Sequence, residues 1–590
     1  MGEFVLVDPL GVARAYSASK VGFSPVSGSE KVVFQEGGGT EKDDLAEMCN
    51  GTISYCDNSA ATEIRPYQFS GQSHLISVSF PNVKSISYHA FDGCKNLTDV
   101  YFPECEYIAF STFLSAPLSS ATTFPKCNYV DGSSFDSKAG YMADGGQYIG
   151  DILVRGAGTS LLSFTILPST RYIANYAFSG KNTGELFGGE NIGRIGVHAF
   201  KSAKYLRSVA FPNCSVMGAN AFQSCVSLSA ASFPLISALT NFQFGGCTHL
   251  EEVFLPNCSV ISGNAFFGCS ALSSVFAPNL KSVGYKAFAG CTALPSEGGA
   301  YYVNDIAVLA SKSMSEIALR SGTWSLADYL FSSAKSVTTV TGTDTLKGIG
   351  YNAFLNAGIL SFSAPICEFV GSDAFFNAYS LSYVYLPMIS SIPSGAFYRC
   401  YSLNTIICDF DNMEYIGYIA FSGCTSLTMS LSLPACKTIE RGAFYGAGIT
   451  GINAPLAELH YGRETYTVRT FGSCSKLSTV YLPNAKSIIE ECFASCYSLR
   501  RVFLSNCTMI TAAAFWSVRS MSSLYLAGSS FCSIPYYSTM SSLWSSYWAK
   551  SIYVRDSLYQ DYINDSMWGY FSSRIVSMTE EQLNAVAATF

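Results

Sequence analysis

The sequence predicts a β-dominated solenoid, a stack of short coils in which each coil buries its apolar side only against its neighbours. Three observations predict it. First, the phrase Ala-Phe-x-Gly-Cys recurs, with its phenylalanine at Phe69, Phe91, Phe113 and Phe135 and again at Phe178, Phe200, Phe222, Phe244, Phe266 and Phe288, each run stepping by 22 positions. Second, the beat continues with small slips at Phe331, Phe354, Phe375, Phe397, Phe421, Phe444, Phe471, Phe493 and Phe515. Self-similarity at such a period marks a stacked array. Third, charged residues make up 13% of the 590 residues and aromatics 14%. Charge is thus about half the ~25% usual for a globular protein, and the surface must be built from Ser, Thr, Asn, Tyr and Gly.

Taken in chain order, residues 1–41 contain Gly37-Gly38-Gly39 and read as an arm or linker. Residues 42–63 read as a first, atypical coil leading into Phe69. The regular unit is plain at Leu250–Cys269, LEEVFLPNCSVISGNAFFGC, and at Leu272–Cys291, LSSVFAPNLKSVGYKAFAGC. Its opening is short and rich in β-formers, and Pro256 and Pro278, lacking an N–H, should terminate their strands. A second short extended or 3₁₀ segment follows at Ile or Val. The Ala-Phe pair then turns inward and Gly-Cys closes the corner. By strand alternation Leu250, Val253 and Leu255 point into the coil and the residue after Val points out.

The pattern Leu-x-x-Val-x-Leu-Pro-x-x-x-x-Ile-x-x-x-Ala-Phe-x-x-Cys resembles the BspA-like (Treponema-type) leucine-rich repeat family over roughly Ile64 to Leu526. The resemblance implies a leucine-rich repeat solenoid of the α/β class, right-handed, with a parallel sheet on its concave side, short 3₁₀ or helical turns and capped ends. It also implies surface or secreted proteins of host-associated bacteria and some protists that attach to matrix proteins or other cells.

The period breaks twice, from Phe135 to Phe178 and from Phe288 to Phe331, each a step of 43 positions. The interruptions, near 136–177 and 289–330, resemble each other at Tyr148-Ile-Gly-Asp-Ile-Leu-Val and Tyr302-Val-Asn-Asp-Ile-Ala-Val, and read as extra strands, a hairpin or a modified coil. The longer step from Phe444 to Phe471 places Glu458-Leu-His-Tyr-Gly-Arg-Glu-Thr near a protruding turn, where His460 reads as polar surface. Residues 42–526 thus form the repeat region. Residues 527–590 read as a C-terminal cap: a strand from Ile552, then a helix capped by Asp556 or Ser557, with Trp544, Trp548 and Trp568 around it.

The 21 cysteines, an odd number, fall mostly into two columns of the repeat. One follows the Phe, as at Cys247, Cys269 and Cys291; the other follows the first strand, as at Cys214, Cys258 and Cys367. Stacked equivalents have parallel Cβ vectors, which disfavours disulfides, and no CxxC pair or accompanying histidine suggests zinc. They read as small buried hydrophobes.

No Gly-x-Ser-x-Gly elbow, Walker loop or His-Glu-x-x-His is present. Asp409, Asp411 and Glu414 lack calcium-loop spacing. The reading is therefore non-enzymatic, with no cofactor and no metal. A formal charge of −7 without a basic run argues against nucleic acid, and no apolar run reaches the roughly 18 residues of a membrane span. The remaining candidate is the outward column of the first strands, an aromatic track at Tyr101, Phe254, Phe276, Tyr385, Tyr481, Phe503 and Tyr525, interspersed with Ser79, Ala210 and Ser232. A second outward column carries Asp99, Glu252, Tyr383, Thr405 and Arg501. Rigid aromatics lose little entropy on binding, so the expected partner is a protein or glycan on a host or cell surface, engaged by a surface or secreted adhesin. A tail-associated receptor binder of a virion or prophage, or an intracellular scaffold, are the alternatives.

Overall fold

The structure is a computed structural model. It describes residues 61–143, 145–156, 163–461, 469–489, 491–535 and 549–590, together with the backbone of the strands Glu3–Val7, Ala13–Ser17, Glu30–Phe34 and Ile53–Asn58. The chain divides into two units, Met1–Pro295 and Ser296–Phe590. Each is a parallel-strand β-solenoid.

In unit 1 the coil beginning at Leu250 shows how sequence becomes structure. Glu252–Phe254 is the first strand, with Val253 buried and its two neighbours exposed. The strand closes just before Pro256, and the Pro-Asn turn is tied to the coil behind it, because the Asn257 side-chain amide donates to the Pro234 carbonyl at 2.9 Å. Asn279 repeats this bond to Pro256 at 2.8 Å. Val260–Ile261 is the second strand. First strands pair in parallel along Ser208, Ala230, Glu252 and Ser274, and second strands along Ala238, Val260 and Ser282. Because paired residues are one repeat apart, every inward residue stacks on its own equivalent.

The corner needs two left-handed residues. Asn264 (φ 56°) stands two before Phe266 and Gly268 (φ 76°) two after, and the next coil repeats them at Lys286 and Gly290. At Gly290 a side chain is doubly excluded, since its φ is 86° and a Cβ there would lie 3.2 Å from the Gly268 Cα. This geometry turns the Phe266 and Gly268 N–H groups toward the next coil, where they donate to Ala287 and Ala289 at 2.8 and 2.7 Å. The ladder is thereby continued through the bend.

The phenylalanines form the spine of the core. In unit 1 Phe178, Phe200, Phe222, Phe244, Phe266 and Phe288 stack at 4.8–5.4 Å with nearly parallel planes. In unit 2 the stack from Phe331 to Phe515 runs at 4.9–5.6 Å. Each ring contributes about 1.5–3 kcal/mol by burial, and each contact about 0.5–1.5 kcal/mol more. The cysteines after these rings are buried, as the packing reading holds, but they are also donors. Cys247, Cys269 and Cys291 give their thiol hydrogens to the carbonyls of Phe222, Phe244 and Phe266, each at 3.1 Å. The second column bonds within its own coil, Cys258 to Val260 and Cys367 to Phe369 at 3.3 Å.

Both interruptions have one topology. In unit 1 Tyr141–Ala143, Gly146–Ile149 and Ile152–Arg155 form an antiparallel meander whose last strand joins the second-strand ladder in parallel at Tyr172–Ile173. In unit 2 Ser296–Glu297, Ala300–Val303 and Ile306–Ala310 do the same, joining at Ser325–Leu326. Each carries a register shift at the same place, Gln147/Tyr148 and Tyr301/Tyr302.

Two local expectations are corrected, and a third falls partly outside the described residues. Glu458–His460 is not a turn but a ladder strand paired with Thr438–Glu440, and His460 Nδ1 lies 3.2 Å from Glu440 Oε1; residues 462–468 lie outside the described residues. Asp556 and Ser557 do not cap a helix. Asp556–Leu558 is a 3₁₀ turn, and the helix Tyr559–Asn564 that follows has no side-chain cap. Trp544 and Trp548 lie outside the described residues, so of the expected tryptophan cluster only Trp568 is seen. It is fully buried and donates its indole N–H to the Cys532 carbonyl at 2.6 Å. At the other end, the segment read as an arm carries Glu3–Val7, paired antiparallel with Ala13–Ser17 and Glu30–Phe34. The latter pairs in parallel with Ile53–Asn58, which leads the ladder to Ser77–Ser79 and Asp99–Tyr101.

Candidate binding face

On the three-residue first strands the middle residue points inward, buried or half-buried, and the flanking two point outward, exposed or half-buried except at the buried Gly451. The outward face is therefore two columns wide, with side chains about 7 Å apart along a strand and about 4.8 Å apart between strands. The register assigns the members. In unit 1 Ser79 pairs with Tyr101, Thr165 with Phe187, and Ala210 with Ser232, Phe254 and Phe276 in turn. In unit 2 Ser363 pairs with Tyr385 and Ile407, and Asn453 with Tyr481, Phe503, Tyr525 and Tyr553.

Tyr101, Phe254 and Phe276 are exposed by 59, 43 and 50%. Phe254 and Phe276 stack at 5.1 Å with planes 6° apart. Tyr385 and Tyr481 are half-buried. Phe503 and Tyr525, expected on an open track, are instead 3 and 8% exposed, because the chain's own C-terminal helix, Glu580–Ala587, folds back over them. Thr579 and Gln582 start that helix with a reciprocal capping box. Leu583 is buried against Phe503, Tyr525 and Ala527. Phe590 sits 5.7 Å from both Tyr481 and Phe503, and the Arg501 guanidinium lies 4.1 Å over the Phe590 ring while donating to Thr589 Oγ1 at 2.7 Å. Arg555 pairs with Glu580 at 2.8 Å.

The aromatic column is thus not one continuous track. It is a set of rings interspersed with small residues, and at two places the small residues open a groove. One groove of about 370 Å³ has Ala230 and Ser232 as its floor and Glu252 and Phe254 beside it. Another of about 350 Å³ has Ser77 and Ser79 as floor and Asp99 and Tyr101 beside it. Asp99 accepts hydroxyl hydrogen bonds from Thr98 at 2.9 Å and Ser119 at 3.2 Å. Phe187, exposed at the equivalent position of its own strand, was not anticipated from the sequence. Its strand, Glu185–Phe187, runs into Gly188-Gly189 instead of the usual Pro, and only the register match to Thr165 identifies it.

Burial pushes the thiols of Cys214, Cys367 and Cys474 up to about 12, so they are neutral at physiological pH. Among the described residues no group of three or more His, Cys, Asp or Glu side chains could hold a metal ion, and no helix is long and apolar enough to cross a membrane.

Solved structures with similar folds include a leucine-rich repeat protein from Bacteroides ovatus, 18% identical over 83% of this chain and 93% of that one, with a TM-score of 0.28. A leucine-rich repeat protein from Eubacterium ventriosum is 16% identical over 57% of this chain and 91% of that one, with a TM-score of 0.26. A leucine rich cell surface protein from Faecalibacterium prausnitzii is 18% identical over 69% of this chain and 97% of that one, with a TM-score of 0.24. No curated protein matches the chain. The family described as "BspA type Leucine rich repeat region (6 copies)" matches residues 62–185, 171–295, 304–428, 359–461 and 430–542. With these matches spanning most of its length, the chain belongs to the BspA-type leucine-rich repeat family.

Proposed function

We propose that this protein is a non-enzymatic attachment protein, acting at a cell surface or after secretion, that binds a protein or glycan partner through the outward face of its first strands. The observation that carries this reading is the exposed Phe254–Phe276 stack opening onto the groove beside it. Large rings held at 43 and 50% exposure on a rigid ladder form a preorganised contact surface. The spine and the cysteine columns are fully engaged inside the coils and leave the strand face as the variable surface. Family membership supports the same direction, since the BspA-type pattern implies attachment.

The test is surface plasmon resonance of the full chain against a panel of host-matrix proteins and bacterial-surface glycans. The reading expects at least one partner whose binding falls by about tenfold or more in the Tyr101→Ser, Phe254→Ser, Phe276→Ser variant. Unchanged binding by that variant, with circular dichroism showing it folded, would remove the face from the account.

A further inference from the structure

One juxtaposition occurs at three coils of unit 1. A strand with an acidic and an aromatic residue two positions apart follows a strand with small residues at the matching positions. Asp99 and Tyr101 lie beside Ser77 and Ser79, Glu185 and Phe187 beside Ser163 and Thr165, and Glu252 and Phe254 beside Ala230 and Ser232. The small pair is a floor, and the acid and the ring rise along one edge of it. Phe254 shows which ring face is open. Its stack with Phe276, at 5.1 Å and 6°, covers one side, so the other looks across Ser232.

An aromatic face with a carboxylate about 7 Å away on the same strand is suited to a cation, which gains from the ring quadrupole and from the ion pair together. At the middle coil the molecule supplies the cation itself, for Arg207 Nη1 lies 3.8 Å from Glu185 Oε1. At the outer two, among the described residues, neither Asp99 nor Glu252 has a basic partner. Thr98 and Ser119 bond Asp99 through hydroxyls, which hold the carboxylate without neutralising it.

Unit 2 shows what class of molecule this coil position accepts. There the column is covered by a polypeptide segment, the C-terminal helix and Phe590, docked through a cation–ring contact at 4.1 Å. In that contact the ladder gives the cation, Arg501, and the segment gives the ring. In unit 1 the ladder gives ring and carboxylate, so the complementary segment must give the cation.

We propose that the grooves at Asp99–Tyr101 and Glu252–Phe254 each receive a Lys or Arg side chain of a basic partner polypeptide, its charged head over the ring and against the carboxylate. This rests on the reading of the strand face as the binding surface and specifies the partner as a basic protein segment, not a glycan.

The test is isothermal titration calorimetry of the full chain with two probes, a hexa-arginine peptide and uncharged maltohexaose. The peptide should bind, and less tightly at about 0.3 M salt than at about 0.05 M. D99N and Y101L should each weaken binding at the first groove about three-fold, E252Q and F254L likewise at the second, and D99N/E252Q together should weaken both sites. Glu251→Gln, the same charge change one residue from the groove, should leave it unaltered. Equal weakening by E251Q and E252Q, no effect of F254L, or no peptide binding overturns the proposal. Binding of maltohexaose that is lost in F254L also overturns it, while leaving the strand face as a binding surface. If neither probe binds and the serine variant above still captures its panel partner normally, both readings fall.

Discussion

A thiol at the inner corner of a coil does something the alanine found there in other coils cannot. Cys247 fills the corner and donates to the Phe222 carbonyl, whereas Ala203 and Ala378 fill the equivalent place with a methyl group alone. The thiols also set a pH limit. Burial raises Cys214, Cys367 and Cys474 from 9.0 to about 12, so the folded state keeps protons that the unfolded chain releases. A raised folded pKa gives stability that is intact below the unfolded value and lost as pH climbs above it. The melting temperature should therefore hold to about pH 9 and then fall, each thiol adding a slope of about 1.4 kcal/mol per pH unit. Thermal melts between about pH 8 and 11 check this. The triple Cys→Ala variant at these positions should show a shallower alkaline decline, and an identical decline would contradict the assignment. At this scale half of the corner was legible. Gly268 and Gly290 announce a left-handed residue after the Phe, but the matching position before it is filled by Asn264, Lys286, Tyr329 or Ile419, which carry no common signal for positive φ.

At the scale of the element, strand alternation places Tyr101, Phe254 and Phe276 outward, and all three are exposed; the register pairs Ser79 with Tyr101 in one sheet and Phe254 with Phe276 in another. What alternation could not foresee is a cover arriving from far along the chain. Phe503 and Tyr525 point outward and are still buried, because Leu583 and Phe590 return to them. The helix that Thr579 and Gln582 start was not anticipated from the sequence, and its docking site depends on a contact between distant segments. Ending the chain after Met578 should leave the solenoid folded, since that helix buries one side chain fully, Leu583, worth about 2–3 kcal/mol. It should also uncover the Tyr481–Phe503–Tyr525 rings. Binding of an environment-sensitive dye should rise in the shortened protein and fall back when Phe503 and Tyr525 are also replaced by Ser. No rise would show that the helix does not shield the strip. The spine responds differently. Phe244→Ala removes a fully buried ring from a continuous stack and should cost about 3–5 kcal/mol in chemical denaturation; a loss below about 1 kcal/mol would contradict the stack as the core.

At the scale of the whole molecule, the recurrent Ala-Phe-x-Gly-Cys phrase made the solenoid legible from sequence, because one coil's inward residues are the same in every coil. The two interruptions were legible as a matched pair, and the structure shows why. Each is a three-stranded meander with a register shift at the same place, feeding the second-strand ladder. The proposed binding surface was less legible, because it lies in the positions that the repeat leaves free to vary. There a ring, a small floor and a carboxylate come together only when strands one repeat apart are laid side by side, as Ser232 is beside Phe254. Function in such a molecule is carried by differences between coils and stability by their sameness. The central claim is that the outward first-strand face of unit 1 is where a partner sits. Hydroxyl-radical footprinting of the full chain, free and bound to whichever panel partner it captures, tests this most directly. The account predicts that oxidation of Tyr101, Phe254 and Phe276 falls on binding while that of exposed Tyr570, far along the chain in the C-terminal segment, is unchanged. Full oxidation of all three rings in the bound state would contradict it.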